Sequence, residues 1–298
     1  MNEKISGFLL VNKPAGISTF DIIRIIKKTT GIKKLGHSGT LDPFAEGLVI
    51  ILLGQMTRLF NLFSTFPKTY RALAEFGKST DTLDITGSFK EEAAVPEFEL
   101  IIDNLKYFTG IIKQRPPVYS AVHVNGIRAY ELARKGIAVD LKEKEVTVNS
   151  IKINSFKDNI LDFTVNCSSG TYIRTLASDL ARKCDSAAFL KKLIRTQIGD
   201  FHLEEAKLPD EITGKDVVTP EEGLKKCGIP VITADKILTE KILNGKKLSE
   251  KGSENQFPAG IFSFFSEKGT FLALIDNSIA EMRYLFVSSD KSACNECN

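Results

Sequence analysis

Apolar positions along the chain change period several times, and the changes mark out its elements. Residues 7–11 and 47–53 are apolar runs of strand length, and residues 70–76 alternate apolar with polar side chains, so all three read as strands. Between the first two, Ser18 and Asp21 form a capping-box pattern. Ile22, Ile23, Ile25 and Ile26 follow at helical spacing, which predicts a helix ending near Gly31. Further helices are expected over 57–66, 97–108, 129–135 and 171–183. Strands are expected over 118–124, 146–153 and 161–167, the last two as an antiparallel pair. Acids, glycines, Pro209 and Pro220 break the periodicity between residues 203 and 230. That break divides the chain into a domain over 1–229 and a smaller one over 230–298. In the smaller part, 234–244 reads as a helix closed by Gly245, and 261–265, 271–275 and 282–287 read as short strands.

Composition narrows the class. Of 298 residues, 43% are apolar and 26% charged, the balance of an ordinary globular protein, with 20 Phe and no Trp. The longest apolar run, 48–53, is far too short to span a bilayer, and Asn12 and Lys13 interrupt the N-terminal run before it could form a signal core. Cys167, Cys184, Cys227, Cys294 and Cys297 are odd in number and scattered, which points to reduced thiols and a cytoplasmic setting. Cys294 and Cys297 form a C-x-x-C pair in a polar tail, with no second pair to complete a zinc site. His37, His123 and His202 are too few and too dispersed to suggest a catalytic metal.

A net charge of +3 says little about a polyanionic partner, but the local distribution says more. Arg24, Lys27, Lys28, Lys33 and Lys34 follow one another with no acid among them, and Arg182, Lys183, Lys191, Lys192 and Arg195 enclose only Asp185. Each cluster reads as a solvated face or as the electrostatic footprint of a nucleic-acid binder.

The segment from Gly31 to Ser38 comes within one residue of a phosphate-cradling loop, with His37 in place of the lysine. That loop needs a strand before it and a helix after it, whereas here a capped helix precedes it and Pro43 follows. The reading is rejected. The next turn, Gly39-Thr40-Leu41-Asp42-Pro43-Phe44-Ala45-Glu46-Gly47, places Asp42 before a proline that drives it toward an extended backbone. Such an Asp serves either as a turn residue or as a projected carboxylate.

Several blocks in order resemble the TruB family of bacterial tRNA pseudouridine synthases. They are GHSGTLDPFAEGLVIILLGQMTRL from Gly36, Lys68-Thr69-Tyr70-Arg71-Ala72, and Gln114-Arg115-Pro116-Pro117-Val118-Tyr119-Ser120-Ala121. Gly126 with Tyr130-Glu131-Leu132-Ala133-Arg134 follows, then Cys167 to Leu176 and finally Leu193 to Thr196. The resemblance spans roughly residues 6–200. It implies an α+β catalytic domain with a mixed, mainly antiparallel sheet and flanking helices, followed by a small β-rich PUA-like RNA-binding domain. It also implies an isomerase that flips the T-loop uridine at tRNA position 55, cleaves C1′–N1 and rejoins C1′ to C5.

By that resemblance Asp42 is the catalytic carboxylate, acting as nucleophile at the sugar or as base removing a sugar proton. Arg174 is its partner, and Tyr70 stacks on the target base with its hydroxyl near the C5 proton. His37 contacts RNA around the extruded bases. Lys68 is a structural or phosphate-side residue, and Lys33, Lys34, Lys191, Lys192 and Arg195 are the expected RNA-binding bases. The partner is the T-arm stem-loop of tRNA, met by a cytoplasmic monomer without cofactor, metal or membrane. The chain departs from the family at His123, where a Lys is usual, and over Ala187-Ala188-Phe189-Leu190, where Gly-Ala-His-Leu is usual. A tRNA-binding or folding protein without chemistry is the alternative, and Asp42, Tyr70 and Arg174 together argue against it. A glycosidase acting on free nucleosides would call for a second carboxylate and would leave the basic clusters unexplained.

Overall fold

A strand covered on both faces must be apolar at nearly every position. The computed structural model, which describes residues 5–248, 257–278 and 282–289, shows this in β1 (Gly7–Lys13), which pairs antiparallel with a later strand along its whole length. Helix α1 (Thr19–Thr30) follows, with the Ser18–Asp21 capping box formed and Gly31 in the left-handed conformation at its end. Strand β2 (Leu35–His37) then leads to β3 (Glu46–Leu53), the partner of β1. Alternation sorts β3 between two cores: Val49, Ile51 and Leu53 face the layer of α1, and Leu48, Ile50 and Leu52 face the opposite layer.

The expected helix over 57–66 forms as a 3₁₀ stretch, Gly54–Leu59, followed by α2 (Phe60–Thr65). Next come β4 (Lys68–Phe76), the small hairpin of β5 (Lys78–Thr80) and β6 (Phe89–Glu92), α3 (Phe98–Leu105) and β7 (Gly110–Gln114). The strand expected over 118–124 is a correction: only β8 (His123–Val124) is extended, paired with β9 (Ile127–Arg128) ahead of α4 (Ala129–Arg134). The carbonyls of Ser120 and Val122 accept instead from the N–H groups of Tyr130 and Ala129 at the start of α4, which keeps the segment a loop. The antiparallel pair appears as β10 (Lys144–Lys157) and β11 (Ile160–Cys167), and α5 (Ile173–Lys183) follows.

An eleven-residue strand, β12 (Ala188–Ile198), has no counterpart among the sequence expectations; β13 (Phe201–His202) pairs back on it. The main sheet runs β1-β3-β12-β4-β11-β10-β7, antiparallel except where β12 meets β3. It is therefore mixed and mainly antiparallel, in an α+β fold. Helices α1 and α5 bury their apolar faces on one side of it.

Beyond α6 (Pro220–Lys226), β14 (Val231–Ala234), α7 (Lys236–Leu243), β15 (Gly260–Ser266), β16 (Phe271–Asn277) and β17 (Arg283–Val287) build a second sheet in that strand order. Phe265, Phe271, Leu274 and Phe286 of this sheet share one apolar cluster with Phe8, Ile50 and Phe63, so it packs on the back of the main sheet. The C-x-x-C pair lies outside the described residues.

The parallel crossing of β3 and β12 is tight. Gly47 has φ +108°, and a Cβ there would stand 2.3 Å from the Arg195 carbonyl oxygen and 2.8 Å from its nitrogen. Gly47→Ala is expected to destabilise the protein by about 3 kcal/mol, the scale of left-handed strain together with overpacking. Denaturant unfolding reads this as a lowered midpoint at constant slope; an unchanged midpoint would refute so close an approach.

Candidate active site

The loop between β2 and β3 is tied down on every side of Asp42. On its N-terminal side, the Leu41 N–H donates to Thr19 Oγ1 in the first turn of α1 at 3.1 Å. On its C-terminal side, the Pro43 carbonyl accepts from the Gly16 N–H at 2.8 Å and from Lys13 Nζ at 3.1 Å. Lys13 is fully buried and also donates to the carbonyls of Pro14 and Ile17. Burial pulls its amine down to about 8, with Asp42 acting in the opposite sense.

Arg195 holds the same loop from β12. Its Nε donates to the Leu48 carbonyl at 2.7 Å, Nη1 to Thr40 at 3.3 Å and Nη2 to Gly39 at 3.5 Å. Only 1% of Arg195 is exposed. Expected among the RNA-binding bases, Arg195 is buried instead of standing out on the surface: its guanidinium has the fork of donors that two loop carbonyls and one β3 carbonyl need, and it also lines the site cavity.

Opposite Asp42 stands Arg174, the second residue of α5, with a side chain 3% exposed. Its Nε lies 2.9 Å from Asp42 Oδ2 without the N–H alignment of a hydrogen bond, and its Nη1 lies 3.4 Å from Asp84 Oδ2. Nη1 also donates to the Thr82 carbonyl at 2.8 Å and Nη2 to the Tyr119 carbonyl at 3.0 Å. One guanidinium thus sits between two carboxylates and two carbonyls, a geometry a lysine cannot copy. Asp84 is buried in the turn between β5 and β6, where the N–H and hydroxyl of Thr86 donate to its Oδ1.

Burial raises the Asp42 carboxyl above its ordinary value; Arg174 pulls it back, Asp84 adds to the rise, and Lys13 opposes it. Its side chain keeps 33% exposure, and that exposed part faces a cavity of about 290 Å³. Tyr70, Lys68, Tyr172, Arg174, Leu193 and Arg195 also line the cavity.

Tyr70 on β4 stands in register with Arg195 on β12. Burial pushes its phenol up, with the Arg195 cation acting against the rise, so the hydroxyl stays protonated at neutral pH. Lys68, two residues earlier and on the same strand face, is buried and donates to the Ser64 carbonyl at 2.6 Å. Burial lowers its amine to about 8.

None of the other sequence candidates lines this cavity. His37 is half-buried on β2 and is not among the lining residues; burial and Arg195 lower its pKa, and its Nδ1 is buried without a partner. Lys33 and Lys34 are exposed after α1. Lys191 pairs with Glu75 at 2.9 Å and Lys192 with Glu46 at 3.4 Å, so part of that cluster's positive charge is already compensated. Among the described residues, no three His, Cys, Asp or Glu side chains gather where a metal ion could be held, and no helix is long and apolar enough to cross a membrane.

Lys13, Thr19 and Asp84 escaped the sequence reading. A lysine at the end of an apolar strand run was the one signal available for Lys13; Asp84 lies in DTLDITGS, which reads as an ordinary polar turn.

Comparisons with known proteins identify the family. Residues 27–173 match the TruB family pseudouridylate synthase (N terminal domain). The tRNA pseudouridine synthase B of Caldanaerobacter subterraneus subsp. tengcongensis is 39% identical over 246 residues, covering 81% of this chain and 86% of that protein. The protein of the same name from Prochlorococcus marinus is 36% identical over 291 residues, covering 93% of this chain and 91% of its own. Among solved structures, a Cbf5-Nop10-Gar1 complex shares the fold at a TM-score of 0.67 and 22% identity, over 95% of this chain and 84% of the matched one. With relatives this similar along most of its length, the chain belongs to the TruB family of pseudouridylate synthases, isomerases that make pseudouridine.

Proposed function

We propose that the protein converts the T-loop uridine of tRNA, at tRNA position 55, to pseudouridine, with Asp42 as the reacting carboxylate. The observation that carries this reading is the row Asp42–Arg174–Asp84 beside a cavity that Tyr70 also lines. At about 290 Å³ the cavity is near the lower end of small-ligand pockets, a size suited to one extruded nucleotide rather than a duplex. The names of the relatives support tRNA as substrate.

The reaction is a balanced rearrangement. C1′–N1 breaks, the uracil turns, C1′–C5 forms, the proton on C5 leaves, and N1 takes one up. Asp42 enters as nucleophile at C1′ or as base at the sugar, and either role needs it ionised. Arg174 favours that ionised form from 2.9 Å. Asp84 is buried and committed to Arg174, which leaves it unsuited to the general-acid role of a glycosidase.

The direct test incubates purified protein with unmodified tRNA and with a T-arm stem-loop and maps the product. One modified uridine in the T-loop of both is expected; pseudouridine elsewhere with the T-loop untouched would overturn the assignment.

Tyr70 carries two separable jobs, stacking and a hydroxyl beside the reacting base. Tyr70→Phe is expected to keep RNA affinity yet turn over slowly, whereas Tyr70→Ala also loses stacking, worth about 1–3 kcal/mol. Full activity in the Phe variant would reduce Tyr70 to a platform.

Lys33 and Lys34, exposed and close to the catalytic loop in sequence, are proposed to reach phosphates. Neutralising both is expected to flatten the dependence of log affinity on log salt by about one to two units. The same change at Lys191 and Lys192 is expected to flatten it less, because Glu75 and Glu46 already pair with them. Identical slopes for all three proteins would mean that neither pair touches the RNA backbone.

Residues 1–229 are assigned to the catalytic domain and 230–298 to a PUA-like RNA-binding domain. The support is the second sheet, which starts at Val231. Cys167, Cys184 and Cys227 are free thiols, in keeping with a reducing cytoplasm.

A further inference from the structure

The reading above makes no use of Gln114, the last residue of β7. Its side-chain amide is nevertheless buried, with 3% of the residue exposed, and both polar atoms go to one backbone residue. Nε2 donates to the Tyr172 carbonyl at 3.0 Å, and Oε1 accepts from the Tyr172 N–H at 2.7 Å. Tyr172 stands immediately before α5, its side chain makes no cap, and Arg174 lies two residues further on. We propose that Gln114 is a positioning residue for pseudouridine formation: its amide clamps the entrance of α5 so that the Arg174 guanidinium stands between Asp42 and Asp84.

Three features carry the assignment. The N–H and C=O of Tyr172 belong to successive peptide planes, so holding both fixes the backbone at the point where α5 takes its direction. The clamp is anchored, since Gln114 pairs with Lys144 of β10 at the edge of the main sheet. The segment that begins at Gln114 then follows the start of α5: the Arg115 carbonyl accepts from Thr175 Oγ1 at 3.3 Å, and the Tyr119 carbonyl accepts from Arg174 Nη2 at 3.0 Å. An amide that only filled space there would need neither bond.

The contact it serves is sensitive to position. Arg174 Nε is 2.9 Å from Asp42 but out of line for a hydrogen bond, so a small displacement of the first turn of α5 changes the pairing directly. The charged groups acting on Asp42 are Arg174, Asp84 and Lys13. Only Arg174 is carried by the clamped helix.

The test uses the full-length protein, Gln114→Met, which keeps volume and loses both bonds, and Gln114→Glu, which keeps the acceptor for the Tyr172 N–H. It rests on the proposed roles of Asp42 and Arg174 and follows tritium release from C5-tritiated tRNA. Gln114→Met is expected to lower kcat by roughly 10- to 100-fold, the scale of an ångström of misplacement, with KM near wild type. Its acid limb of kcat should move to higher pH as Arg174 withdraws its charge from Asp42. Gln114→Glu should fall between the two.

Independently of turnover, the Nε–H resonance of Arg174, identified by its loss in Arg174→Lys, should shift in Gln114→Met. A wild-type kcat and an unmoved resonance would overturn the proposal. So would equal losses in both variants that follow melting temperature with the pH profile unmoved. If Gln114→Met does not fold, the pH profile and resonance of Gln114→Glu decide. If the wild type fails to modify tRNA, the proposed substrate falls while the resonance still decides the clamp.

Discussion

Asp42→Asn is expected to lower turnover by about 10⁴-fold, the upper end of what one acid–base group supplies, while tRNA affinity stays within a few-fold of wild type. The amide keeps the shape of the side chain but can neither attack C1′ nor take a proton. Binding is spared because removing a negative charge near phosphates relieves repulsion.

Stability should move the other way. The folded-state pKa of Asp42 is raised mainly by burial, so the folded protein holds this proton more tightly than the unfolded chain does. The resulting stabilisation is complete below the ordinary carboxylate value of 3.8 and is lost as pH rises through the folded value. The Asp42→Asn variant has no such proton to hold, so its melting temperature relative to the wild type should rise with pH. Single-turnover assays, filter binding and thermal scans across pH read all three quantities. Retained turnover would remove Asp42 from the chemistry.

Arg174→Met is expected to lose both activity and stability. Removing one partner of a buried ionic group strands the others, a loss of about 3–5 kcal/mol. Here Asp84 would be left buried without its counter-charge, and the carbonyls of Thr82 and Tyr119 without their donors. Asp42 would rise further toward its neutral form, so turnover should fall by at least the factor attached to its ionisation. The added change Asp84→Asn should restore part of the stability and none of the activity, which separates the two effects. A stable and active Arg174→Met would show that the guanidinium does not govern the carboxylate. Arg174→Lys should also be poor, because a single ammonium cannot fork between two carboxylates and two carbonyls.

Much of the scaffold is legible in local pattern. The α1 capping box and its glycine end, the apolar run of β3 and the β10–β11 pair all stand where periodicity places them. Each is settled by side chains within one or two turns of one another, so the chain alone carries the signal. Strand β12 shows the converse. Lys191, Lys192 and Arg195 make it look like a basic surface stretch, yet it lies inside the main sheet, where tertiary pairing overrides pattern. Its cations are answered by groups from other elements: Glu75 and Glu46 for the lysines, a β3 carbonyl and loop carbonyls for the arginine.

The candidate site divides in the same way. The residues proposed for the chemistry can be picked out through the family resemblance, because Asp42 before a proline, Tyr70 on a strand and Arg174 at a helix start each lie in one of its contiguous blocks. Folding alone brings a second carboxylate to Arg174, sets Lys13 and Thr19 as braces beneath the loop, and turns Arg195 into a buried strut. Those contacts join positions 22 to 156 residues apart in the chain. Burial and charge pairing at such separations follow from how sheets and helices pack against one another, which leaves no local signature for a single sequence to display.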